Sequence, residues 1–103
     1  MPHSYDLTPA AKADLANIAR YTADKWGKAQ AIKYAELLDQ CFLRIADGKD
    51  RSKTILPKND AVHVCRCEHH YVFYIQTKEK PVVIAVLHER MDLMKRLKER
   101  LPD

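Results

Sequence analysis

His88, Glu89, Arg90 and Asp92 fall within five residues, with Met91 between them, and gather an imidazole, two carboxylates and a guanidinium into one short stretch. Histidine titrates near neutral pH, so such a group can pass a proton to or from a reacting oxygen, while arginine grips a phosphate or carboxylate through two parallel hydrogen bonds. The same residues also make a packed ion-pair corner that fixes whatever follows, and the corner is the preferred reading. Arg66 is a second candidate. It alternates with Cys65 and Cys67, so if the cysteines face a core, Arg66 points to the opposite side of its strand and meets solvent or an anion.

His63, Cys65, Cys67 and His69 occupy alternate positions, which on a regular strand share one side. That spacing suggests a metal cluster, yet same-side neighbours on a strand stand roughly 6.5 to 7 Å apart, whereas the ligands of one zinc ion all lie about 2.0 to 2.3 Å from it. Four in a row cannot converge without a bend. The two cysteines are read instead as small buried thiols, and no metal or cofactor is expected. Cys41, Cys65 and Cys67 are an odd number in no disulfide-like framework, which suits a reducing compartment.

Several elements must hold these residues. Residues 82–87 are apolar without alternation, so they read as a central strand covered on both faces, with residues 88–92 leaving the sheet at its end. Residues 61–76 read as a hairpin, rich in valine, tyrosine and phenylalanine. Tyr5 and Leu7 suggest a short first strand. Thr8-Pro9 then marks a helix start, because threonine caps a free N–H and proline at the first helical position has none to lose. Ala11, Leu15, Ile18, Thr22 and Trp26 share one helical face up to Gly27, a left-handed C-cap, and Trp26 is expected to anchor the core or the hairpin. A second helix over residues 28–46 carries Ala31, Tyr34, Leu38, Cys41 and Ile45 on one stripe, widened by Leu37 and Phe42, and stops at Gly48. Residues 48–60 read as a basic loop without a period. Asp92 caps a short basic amphipathic helix over residues 93–101.

The order strand, helix, helix, three strands, short helix predicts one α+β domain spanning residues 1–103. A helical hairpin packs on one face of a mostly antiparallel four-stranded sheet, and the other face stays open. The chain is 47% hydrophobic and 31% charged with two glycines, an ordinary balance for a folded domain. A net charge of +4 and a pI near 9.0 favour polyanions or an acidic partner without selecting a function. No membrane span or leader pattern is present in the sequence, and a cytoplasmic location is expected.

The residues 7–11 (Leu-Thr-Pro-Ala-Ala), Ala13-Asp14-Leu15, Ile18, Tyr21-Thr22, Trp26-Gly27, Gln30-Ala31 and Tyr34 resemble the opening of the ParE toxins of bacterial toxin-antitoxin systems. His70-Tyr71-Val72-Phe73-Tyr74 and residues 87–92 (Leu-His-Glu-Arg-Met-Asp) resemble that family's third strand and end-of-sheet motif. The sequence departs from the family at Glu68, where a small turn residue is expected, and in the paired cysteines.

This resemblance implies the RelE/ParE fold and a type II toxin. It further implies inhibition of DNA gyrase by binding, and Arg66, Tyr74, His88, Glu89, Arg90, Met91 and the basic last helix are expected to form or support the target surface. It also implies neutralisation by a cognate ParD-like antitoxin, whose segment would lie along residues 13–38, on Leu15, Ile18, Trp26, Tyr34 and Leu38, and across the open sheet face, and through which alone the toxin would meet operator DNA. The RelE branch of the superfamily offers the alternative of a metal-free, ribosome-dependent messenger RNA endoribonuclease using His88, Arg66 and Arg90. A third reading is a chain that has lost toxicity and keeps only antitoxin binding. The strands lack the dense array of cations that RNA cleavage would need, which favours the binding toxin.

Overall fold

The computed structural model describes the backbone of residues 5–48, 53–56 and 59–100. The elements run β1 (Asp6–Leu7), α1 (Pro9–Trp26), α2 (Lys28–Ala46), β2 (Lys53–Leu56), β3 (Asn59–Cys67), β4 (His70–Gln76), β5 (Pro81–His88) and α3 (Leu93–Arg100). Local chemistry sets their ends. Thr8 caps α1 by accepting the Ala11 N–H at 3.1 Å, with Pro9 at the first turn, and Asp92 accepts the Lys95 N–H at 3.2 Å to start α3. Gly27 alone joins the two long helices. Its φ of 98° and ψ of 162° are not the left-handed cap expected from the sequence but an extended mirror region that only glycine occupies readily. This is what turns the chain back in one residue.

The sheet order is β1-β5-β4-β3-β2, with β1 parallel to β5 and the other pairings antiparallel. The four expected strands are all present, and β5 lies between β1 and β4 as its unbroken apolar run requires. A fifth strand, β2, pairs with β3 inside what the sequence presents as an aperiodic basic loop; the rest of that loop and its side chains lie outside the described residues. Four residues of that kind carry too little periodicity to register as a strand. The β3–β4 turn is two residues long, and its Glu68 sits at φ 56°, the one non-glycine positive φ among the described residues. A left-handed L-residue costs about 1 kcal/mol, which explains why a smaller residue is expected there.

Alternation, interrupted in β5 by a bulge at Ile84, places Cys65, Cys67, Val72, Tyr74, Val83 and Val86 under the helices with Leu38, Cys41, Phe42 and Ile45. The opposite face is not open, contrary to expectation. Val62, Phe73, Ile84, Ala85 and Leu87 pack there against Leu97 of α3, and Leu93 adds to the contact. Phe73 and Leu97 are fully buried, and each such side chain removed from water contributes about 2 to 3 kcal/mol. The hydrophobic stripe of α3 could be read in the sequence, but not the face it would roof.

Two further corrections concern the helical layer. Cys41 and Cys67 form a disulfide between α2 and β3, with Cα atoms 6.2 Å apart, where buried thiols are expected. Trp26, expected in the core, is 65% exposed. The stripe it belongs to is covered only as far as the sheet extends.

Candidate functional site

The far end of the sheet gathers the polar residues that the sequence singles out. His70 and His88 are cross-strand partners, with rings 5.1 Å apart edge to face. Tyr34 reaches down from α2 and shares a hydrogen bond of 2.6 Å with His70 Nδ1, while the His69 N–H donates to the Tyr34 oxygen at 3.2 Å. On the other side of the strands, Arg66 meets Glu89 at 2.7 Å and its Nε donates to the Glu68 carbonyl at 3.1 Å. His69 Nδ1 lies 3.1 Å from the second Glu89 oxygen, and the Glu89 N–H donates to the His69 carbonyl at 3.0 Å. Finally, His88 Nδ1 accepts the Arg90 N–H at 3.1 Å. Glu89 is therefore the hub of a corner that ties the β3–β4 turn to the end of β5.

Electrostatics follow this arrangement. The hydrogen bond from His69, then the charge of Arg66, hold the Glu89 carboxyl below the usual carboxylate range. Burial raises the Tyr34 hydroxyl. Burial also pushes His70 down from 6.5 to about 4, with His88 and His69 adding to the shift and Glu89 and Asp14 opposing it. His70 is thus neutral at pH 7, with one ring nitrogen a donor and the other an acceptor.

The depressed His70 value has a direct consequence for stability. Between about pH 4 and 6.5 the unfolded chain binds a proton that the folded chain refuses, so stability falls as the pH drops through that window and levels off below it. The expected loss from this group is about 2 kcal/mol between pH 7.5 and pH 5. Urea unfolding midpoints of the wild type and of His70→Gln at the two values check it, and parallel losses in both would refute the assignment.

The predicted target residues are only partly brought together. Arg66 and Glu89 meet in the corner, His88 precedes Glu89 with its ring against His70, and Arg90 and Met91 follow at the surface, Met91 being 46% exposed. Tyr74 does not join them. It is 4% exposed, lies on the helix side and stacks on His63 at 5.3 Å. The tyrosine beside Arg66 is Tyr71, its cross-strand partner, whose ring lies 5.7 Å from the guanidinium. One step of strand parity separates the two tyrosines, and register between strands is not visible in a single sequence. Tyr34 and His69 were missed as parts of the corner because nothing local links α2 to a turn more than thirty residues away.

A second feature lies between the helices. Leu15, Ile18, Tyr34 and Leu38, four of the five residues assigned to the antitoxin, line one apolar cavity of about 140 Å³ with Tyr5 and Phe42. The fifth, Trp26, does not line it. Leu38 is its buried floor at 2% exposure, and Leu15, Ile18 and Tyr34 are half-buried. Of the four metal-suggestive residues, His63 stacks on Tyr74, Cys67 is in the disulfide and His69, in the turn after β3, bonds Glu89.

A helical hairpin on a β-sheet with the parallel β1–β5 edge and a closing helix is the architecture of the RelE/ParE toxins. Two solved structures share it: "Chromosomal ParDE TA system from P. aeruginosa", with a TM-score of 0.68 at 15% identity over 84% of this chain and 96% of that one, and the toxin-antitoxin complex RelBE2 from Mycobacterium tuberculosis, with a TM-score of 0.50 at 18% identity over 85% and 99%. The family profile described as "ParE toxin of type II toxin-antitoxin system, parDE" matches residues 5–93. Toxin ParE of Escherichia coli is 46% identical over 95% of this chain and 96% of its own length, and Toxin ParE1 of Mycobacterium tuberculosis is 33% identical over 94% and 100%. The chain belongs to the ParE toxin family of type II toxin-antitoxin systems.

Proposed function

We propose that this chain arrests DNA replication by binding DNA gyrase, without chemistry of its own, and that a ParD-like antitoxin neutralises it. The observation that carries the choice of binding over RNA cleavage is the self-satisfied corner. Arg66 is matched by Glu89, and His88 Nδ1 accepts the Arg90 backbone N–H, so two of the three side chains that a nuclease would use are engaged in holding the sheet end together. A cleaving site instead needs cations and a proton carrier aimed at the phosphate. Arg90, Met91 and the exposed part of Arg66 belong to the target side in this reading.

The apolar cavity between α1 and α2 supports the second half. A disordered antitoxin segment that orders on binding can insert aliphatic side chains over Leu15, Ile18 and Tyr34, and acidic residues in it would suit the +4 charge of the chain. Operator DNA is then reached through the antitoxin, and the toxin acts in the cytoplasm where gyrase works. The test is the supercoiling of relaxed plasmid by purified gyrase. Inhibition at near-stoichiometric toxin, relieved by the antitoxin, is the expected result. Full supercoiling, together with cleavage of translated messenger RNA, would replace this reading by the nuclease.

A further inference from the structure

The helical hairpin is longer than the sheet beneath it. α1 runs beside β5 in the same direction: the Thr8 N–H bonds the Val83 carbonyl, and Asp14 bonds the Val86 N–H. β5 ends at His88, so at a rise of about 1.5 Å per helical residue against about 3.3 Å per strand residue, α1 passes the sheet's end near residue 19. α2 regains the sheet at Tyr34, which bonds His69 and His70. Residues 19–33 therefore overhang the sheet by roughly 12 Å.

This overhang carries the largest exposed apolar side chains of the described residues. Trp26 is 65% exposed, Tyr21 60% and Ile32 52%. Lys25 places its ammonium 5.5 Å from the Tyr21 ring centre and 5.8 Å from that of Trp26, and donates to the Tyr21 hydroxyl at 3.1 Å. The two rings are thus held around one cation before any partner arrives, which reduces the ordering cost of binding. Charge is concentrated here as well. Arg20, Lys25, Lys28 and Lys33 face a single acid, Asp24, which gives these fifteen residues a local net charge of +3.

We infer that this overhanging tip is the toxin's grip on its target, and that its occupant is an acidic protein surface with an apolar pocket for the Trp26 indole. Tryptophan and tyrosine, pre-set and ringed by like charges, have the make-up of an interface hot spot. Ile32 argues for a protein rather than a nucleic acid, since an exposed aliphatic residue offers nothing to a stacked base. Ala19, Thr22 and Ala31 of this segment line the apolar cavity between the helices, but Tyr21, Lys25, Trp26 and Ile32 do not, so antitoxin and target engage different side chains of neighbouring surfaces. This inference rests on the reading of the chain as a toxin that acts by binding, and it moves Trp26 from the antitoxin to the target.

The experiment compares wild type, Trp26→Ala and Lys25→Glu, both at exposed positions, with thermal midpoints verifying the fold. Each variant should need at least about 30-fold more protein to inhibit gyrase and should relieve growth arrest on induction, while affinity for the antitoxin changes less than about 3-fold. Variants as potent as wild type against gyrase would overturn the tip and leave the gyrase reading standing. A wild type that arrests growth without touching gyrase, with arrest relieved by both variants, would overturn gyrase and uphold the tip. A wild type that does neither overturns both. Binding to a labelled single-stranded oligonucleotide that Trp26→Ala abolishes, with gyrase inhibition unchanged, would replace the protein partner by a nucleic acid.

Discussion

Asp14→Ala is expected to destabilise the fold by about 4 kcal/mol, the largest effect of any single charged residue described here. Asp14 lies on α1 with only 13% of its side chain exposed. Its carboxylate holds Arg100 of α3 through two contacts of 2.8 Å and accepts the Val86 N–H at 3.0 Å, while Arg100 also donates to the Ile84 carbonyl at 3.0 Å. The pair thereby occupies the edge of β5 beyond the two-residue β1, where unpaired strand groups would otherwise recruit another chain. The carboxylate contact raises the Arg100 pKa further, so the guanidinium stays charged at any working pH. Removing Asp14 leaves a buried N–H without its acceptor and a guanidinium without its counter-charge, and it unties α3 from α1. Urea unfolding gives the number. Arg100→Met in the Asp14→Ala background should cost less than the two single losses added together, because the uncompensated charge is gone. A loss below about 1 kcal/mol for Asp14→Ala would mean that water replaces the pair at no cost.

Much of the fold was legible because it rests on local rules. Thr8-Pro9, Gly27, Gly48 and Asp92 mark helix ends through backbone chemistry that acts within a few residues, and the unbroken run in β5 announces a strand covered twice. What could not be read is what joins distant segments. Asp14 looks like a polar residue off the apolar stripe until Arg100 arrives from 86 positions away. Arg100 looks like part of a solvated basic helix for the same reason. Tyr34 reads as one more member of the α2 stripe, and only packing shows that its hydroxyl sits between His69 and His70. The corner around Glu89 lies between these cases. Its residues were visible in the sequence as a cluster and Glu89 does form ion pairs, but the partners Arg66 and His69 come from another strand and a turn, so the corner fastens that turn and not the last helix. Trp26 fails differently: its spacing is that of a core residue, and the helix simply runs past the core.

Closing the Cys41–Cys67 disulfide is expected to raise stability by roughly 3.5 kcal/mol over the reduced chain, second only to the Asp14 pair. The bridge spans 26 residues and encloses the end of α2, all of β2 and most of β3. Restricting a loop of that length in the unfolded chain accounts for the figure, and the native cost is small because both cysteines already lie in the core at 1% and 3% exposure. Sequence alone gave no reason to pair them: Cys41 sits on a helical stripe, Cys67 at a strand end, and Cys65 offers an equally spaced alternative on the same side of β3. Only the seating of α2 over β3 selects Cys67. Protein purified in air and denatured should yield one reactive thiol before reduction and three after. Its urea midpoint should drop by about 2 to 3 M on adding a reductant, given a typical slope for a chain of this size. Cys41→Ala should bring the midpoint near that of the reduced wild type and make it insensitive to reductant. Because the bridge fastens the helix that carries Tyr34, the same reduction should also speed amide exchange in the β3–β4 turn. A wild-type midpoint unmoved by reductant, with three thiols reactive from the start, would show that α2 and β3 are held by packing alone.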